Sequence, residues 1–107
     1  MDTRDDLPWS EQFRLVSKRW VDLDMAASIM EESKSAFLSQ AMLELGDMPV
    51  SKAEMRVKGS AAWADYLNSM IKARKEANLA KVKMEWCRMK FMEWQSANAN
   101  RRAEMRL

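Results

Sequence analysis

Histidine is absent from these 107 residues, and there are only one cysteine, two glycines and two prolines. Without histidine the chain lacks the commonest general acid–base group and the commonest metal ligand. The single cysteine, Cys87, forms no internal disulfide, and with no imidazole it lacks the usual base for a thiol nucleophile. Two glycines make neither a phosphate-cradling loop nor a dinucleotide fingerprint. So little glycine and proline excludes a collagenous or Gly/Pro-rich disordered chain. Apolar runs are only a few residues long, too short to span a bilayer. The opening residues Met1 to Asp6 carry neither a basic region nor an apolar stretch, so no secretion signal is read there. The expectation is a cytoplasmic protein that is not an enzyme, with no catalytic residues, no metal, no cofactor and no membrane partner.

What is present is amphipathic helix. Apolar residues make up 48% and charged residues 32%, which fits helices with one covered face. A first helix is expected over about residues 9–45. Pro8 suits a first turn and Glu11 the positive end of the helix dipole. Phe13, Val16, Trp20, Leu23, Ala27, Met30, Phe37 and Ala41 alternate spacings of three and four, a helical seam that Lys34 interrupts. Gly46 is a natural C-cap, with Pro49 beyond it. Ser51-Lys52-Ala53-Glu54 reads as a capping box that opens a short helix over about 51–58. Gly59 ends it, and Ser60 can cap a third helix over about 60–104. The fold class is therefore all-α: one domain, a long helical hairpin with a short connecting helix, of the kind that forms coiled-coil-like oligomers.

From Ser60 to Leu107 there is no glycine or proline, and a helix of that length is roughly 70 Å long. Two interleaved heptad rows run along it. One is Trp63, Met70, Ala77, Met84, Phe91, Asn98 and Met105; the other is Tyr66, Ala73, Ala80, Cys87, Trp94 and Arg101. The small middle layers allow a partner helix to come close. A second apolar stripe follows Leu67, Ile71, Leu79, Val82, Trp86, Met89 and Met92. The first helix can cover one side, and another copy is the expected cover for the other. The residues assigned to an oligomer interface are Trp63, Met70, Ala73, Ala77, Ala80, Met84, Phe91 and Trp94. Cys87, in the same seam, reads as a small core residue. The tail from Asn98 should overhang or fray. The eleven methionines read first as adaptable packing and second as a re-packing surface for partner proteins.

Acidic groups offer little chemistry. Asp5-Asp6, Asp22 with Asp24, and Glu31-Glu32 read as solvated helix faces, with Glu31 pairing to Lys34 three residues on.

Charge is unevenly spread. Residues 1–58 carry net −3 and residues 59–107 net +5, which points to a polyanion-binding end or to head-to-tail charge pairing between copies. Lys72, Arg74, Lys75, Lys81, Lys83, Arg88 and Lys90 are opposed only by Glu76 and Glu85 within their stretch. Arg74, Lys81 and Arg88, seven apart and continued by Arg102, form one row, and Trp86 lies among these cations. Cations interleaved with aromatic rings suit single-stranded nucleic acid, whose phosphates pair with the former and whose bases stack on the latter. The plainer reading is a solvated face with lysine stems lying over Met and Trp.

Trp63-Ala64-Asp65-Tyr66-Leu67, Ala73-Arg74-Lys75-Glu76-Ala77 and Lys83-Met84-Glu85-Trp86-Cys87-Arg88 together resemble small phage-encoded helical proteins, in style the recombination mediators of T-even-type phages. The resemblance spans about residues 60–95. It implies a helical, ring-forming protein that binds single-stranded DNA and helps load a recombinase, with Lys72, Arg74, Lys75, Lys81, Lys83 and Arg88 as carried-over DNA contacts. Lys90 and Trp86 join them from the charge pattern alone. The functional expectation is an oligomeric single-stranded DNA-binding accessory protein for DNA recombination or replication, partnered by itself, by DNA and by a recombinase. The alternative is a helical interaction or regulatory protein that binds no nucleic acid.

Overall fold

The computed structural model describes residues 7–106. Among them all regular structure is helical: α1 (Trp9–Glu32), α2 (Lys34–Glu44), α3 (Val50–Lys58) and α4 (Ala61–Met105). This is the expected all-α hairpin with a short helix before the long one. The chain forms two compact units. One comprises Met1–Asp22 with Ala77–Leu107, and the other Leu23–Glu76. Helices α1 and α4 contribute to both.

In the first unit α1 starts at Trp9, and the Pro8 carbonyl accepts from the backbone N–H groups of Glu11 and Gln12, both at 3.0 Å. Glu11 pairs with Arg14 one turn on. α1 runs antiparallel to α4: Trp9 meets Trp86 edge-on at 6.2 Å, and eleven residues later Lys81 Nζ lies 5.9 Å from the Trp20 ring. Ala77, Ala80 and Cys87 are buried on this side of α4. α4 stays helical to Met105, so the tail does not fray there, although residues 99–106 are exposed.

In the second unit the expected first helix is broken at Ser33, beside the Lys34 that interrupts the apolar series. The break is shallow. Ser33 keeps near-helical torsions, its N–H donates to Ile29 O and its carbonyl accepts from Phe37 N–H, each at 2.9 Å. The carbonyls in the last turn of α1 nevertheless need partners from outside that helix. The Tyr66 hydroxyl, on α4, donates to Met30 O at 2.5 Å and supplies one. Phe37 stacks on Tyr66 at 4.4 Å and lies 6.1 Å from the Trp63 ring. α2 packs on α3, and Ala27, Ala53, Val57 and Trp63 are the buried residues of this unit.

The turns follow their residues. Gly46 has φ +84, the left-handed conformation that favours glycine just past a helix end. The capping box is not used. Pro49, with ψ 139, is the N-cap of α3, so Ser51 already lies inside the helix and Glu54 pairs instead with Lys58 at 2.7 Å. Proline has no N–H and a preset φ, so the helix starts directly after it. Ser60 does cap α4: its Oγ accepts from Trp63 N–H at 3.2 Å and donates to Val57 O at 2.6 Å. Ser60→Ala is expected to cost about 1 kcal/mol, read as a lower urea midpoint with an unchanged slope.

Candidate functional site

The candidate site is the outer side of α4. At 100° per residue, Ala77, Ala80, Met84, Cys87 and Phe91 share one side of the first unit's α4 segment. All are buried or half-buried within the single chain. Leu79, Val82, Trp86 and Met89 share the opposite side and are 60%, 62%, 52% and 59% exposed. Met92 sits at the edge of this row, also exposed.

Within the single chain, most of the residues expected at an oligomer interface fall on the covered side. In the second unit Trp63 is buried, while Met70 and Ala73 are half-buried. In the first unit Ala77 and Ala80 are buried, and Met84 and Phe91 are half-buried. Helices of the same chain occupy that side. Trp94 is half-exposed and stacks on Phe91 at 6.1 Å. The other stripe is the more exposed side, although Trp86 within it meets Trp9 of α1 edge-on.

The cationic residues divide by what they touch. Arg74 is a latch within the second unit. Its guanidinium donates to Asp24 Oδ1 at 2.6 Å, to both Glu31 carboxylate oxygens at 2.6 and 3.0 Å, and to Ser28 Oγ at 3.2 Å. Three acceptors on one face of α1 therefore hold one residue of α4. The Arg74 hydrogen bonds lower the Glu31 pKa from its ordinary value, and Glu31 and then Asp24 raise that of Arg74. Arg74 is thus engaged inside the fold and does not join an open DNA-contacting row. Glu31 is likewise not paired with Lys34, whose Nζ lies instead 5.8 Å from the Trp63 ring. The missed signal was the spacing of Asp24, Ser28 and Glu31, four and three residues apart on one helical face.

Arg74→Met removes the partner that depresses the Glu31 pKa. A depressed carboxylate stabilises the fold above its unfolded value, about 4.3, and that contribution is lost as pH falls through the folded value. The variant should therefore melt below wild type at neutral pH, and the gap should close in acid and shrink in high salt. Parallel melting curves across pH check this.

The other cations are spread around the helix. Lys83 and Lys90 lie on one border of the outer row, while Lys81 and Arg88 lie further round the helix toward the α1 side, where Lys81 Nζ is 5.9 Å from the Trp20 ring. Lys90 Nζ lies 5.8 Å from the Trp86 ring and reaches Glu93 at 3.4 Å. Among the described residues, Lys81, Lys83 and Arg88 make no ion pair within 4.0 Å. Lys72 and Lys75 are exposed on the second unit's part of α4. Burial raises the Cys87 thiol pKa, with Lys83 offsetting part of the rise, so this cysteine is a packed core group. Tyr66 is spent on Phe37 and Met30. Of the aromatic side chains near the cations, Trp86 and Trp94 are the half-exposed ones. No three of Cys, Asp and Glu gather into a metal site among the described residues. No helix among them is long and apolar enough to cross a membrane.

No protein-family model matches the chain, and no curated protein or solved structure matches it either.

Proposed function

We propose that this chain is a helical docking protein, whose outer α4 row is the surface through which it assembles. One observation carries the reading: Leu79, Val82, Trp86 and Met89 stand in a line on one helix and stay more than half exposed. Single exposed apolar residues need no explanation, but a contiguous row rimmed by charge is the signature of an interaction site. The chemistry is recognition, with apolar contact at the centre and cations at the rim.

A second reading is the single-stranded DNA-binding accessory protein of the recombination type. It is favoured by Lys81, Lys83, Arg88 and Lys90 around an exposed Trp86 on the first unit's α4, and by the resemblance over residues 60–95. It has to do without Arg74. It also leaves Leu79, Val82 and Met89 unexplained, since stacking platforms are aromatic. Binding of this kind would fall with salt at a log–log slope of about −0.7 per phosphate neutralised, and Lys81→Glu with Arg88→Glu would abolish it while leaving helicity intact.

Hydroxyl-radical footprinting in cells separates the two. Docking predicts that Trp86 and Met89 are oxidised more slowly in cells than in the purified chain, relative to the exposed Met55, before and after nuclease treatment. Protection that nuclease releases would favour the nucleic-acid reading. Equal oxidation in and out of cells would overturn docking.

A further inference from the structure

We infer that the outer row of α4 pairs, parallel and in register, with the same row of a second copy of this chain. The inference rests on the docking reading and names its occupant. Leu79, Val82, Trp86 and Met89 are spaced three, four and three, so they fill heptad positions a, d, a and d. In that register Met84 and Phe91 fall at f, and Ala80 and Cys87 at b. These are the positions turned from a coiled-coil seam, and they are the ones the chain covers with its own helices. One α4 thus packs inward by one register and presents a second register outward.

The flanking charges decide the orientation. Positions e are Lys83 and Lys90; positions g are Asn78, Glu85 and Met92. In a parallel pair a g side chain faces the e side chain five residues further along the other copy, and such pairs set partner and orientation. Glu85 then meets the second copy's Lys90, twice by symmetry, and Asn78 meets its Lys83. In an antiparallel pair e faces e and g faces g. Lysines would then oppose lysines and Glu85 would oppose Glu85, which is unfavourable. The Lys90 to Glu93 contact in the single chain is exposed and long at 3.4 Å, so exchanging it for Glu85 of a second copy costs little.

The same register limits the seam. The next a position downstream is Glu93, and the preceding a and d positions are Lys72 and Lys75. Each would meet its own like charge in a parallel pair. The seam therefore stops at two heptads, roughly 20 Å. Four apolar side chains per copy fall short of a standard interface, so the pair is weak and reversible.

Sedimentation velocity on the full chain, from micromolar to near-millimolar, tests this. Wild type should show a concentration-dependent monomer–dimer equilibrium. Glu85→Lys and Lys90→Glu should each weaken it by about tenfold or more, as two attractive contacts become repulsive. Their equimolar mixture should restore pairing, because each mixed pair regains two Lys–Glu contacts. Val82→Asp should abolish it. All three positions are exposed or half-exposed, and unchanged circular dichroism would show that each variant still folds. Wild type that stays monomeric overturns the inference, while protection of Trp86 and Met89 in cells would still uphold docking by another partner. Dissociation by Val82→Asp with no response to the charge variants overturns the parallel register and leaves docking standing. A dimer that survives Val82→Asp pairs through another face and overturns the inference.

Discussion

Trp63→Ala should destabilise the chain by about 3–5 kcal/mol, the cost of truncating a buried tryptophan. Trp63 is 7% exposed. It sits in the first turns of α4, where the Ser60 cap fixes its backbone. Its ring lies 6.1 Å from Phe37 and 6.4 Å from Tyr66, and Lys34 approaches it from α2. Truncation opens a void beside Phe37 and removes aromatic contacts worth about 0.5–1.5 kcal/mol each beyond area burial. It also loosens Tyr66, whose hydroxyl satisfies the Met30 carbonyl at the break between α1 and α2. A domain is stable by only about 5–15 kcal/mol in total, so much of the folding free energy would be lost. Urea unfolding followed by far-UV circular dichroism reads the effect. If Trp63 instead belonged to an interface between copies, the variant would dissociate an assembly and leave the monomer's stability nearly unchanged.

Ala77→Leu is the second large effect, expected at about 1–3 kcal/mol from overpacking. Ala77 has no exposed surface, and Ala80 one turn on is also buried. Such small residues let α1 approach α4 closely where α1 carries the bulky Trp20. A leucine there forces the helices apart or its side chain off-rotamer. The loss should be the same at every protein concentration, because the site lies inside one chain. A loss that appears only where copies associate would contradict this burial. Leu79→Ala, on the exposed row of the same helix, should change monomer stability by about 0.5 kcal/mol or less.

Much of the fold was legible in the residues. Gly46 and Pro49 mark the end of the first hairpin arm, Ser60 caps the long helix, and the absence of glycine and proline beyond it leaves nothing to interrupt α4. Ser51 and Glu54 have capping-box spacing but follow Pro49, which is itself the N-cap of α3. The break at Ser33 was visible only as the Lys34 gap in the apolar series. Periodicity located both apolar stripes of α4 but could not say which one the chain covers itself. The size pattern held that information: the covered stripe of this segment carries the small residues Ala77 and Ala80, both buried, and small side chains suit the close approach of a neighbouring helix. By charge pattern alone the cations from Lys72 to Lys90 form one patch. Arg74 stands apart from it because Asp24, Ser28 and Glu31 converge on it across more than forty residues of sequence, and the mark in the sequence is on α1, in the spacing of those three acceptors, and not beside Arg74.

Cysteine cross-linking from the outer row addresses self-pairing most directly. In a parallel, in-register pair each seam residue meets its own copy, so a single cysteine at a d position faces its twin within disulfide reach. With Cys87→Ala removing the buried thiol, Val82→Cys should give a covalent dimer under mild oxidation, at concentrations where Gln40→Cys, exposed on α2, gives little. Val82→Cys that stays monomeric under those conditions, or that cross-links no faster than Gln40→Cys, would contradict the parallel seam.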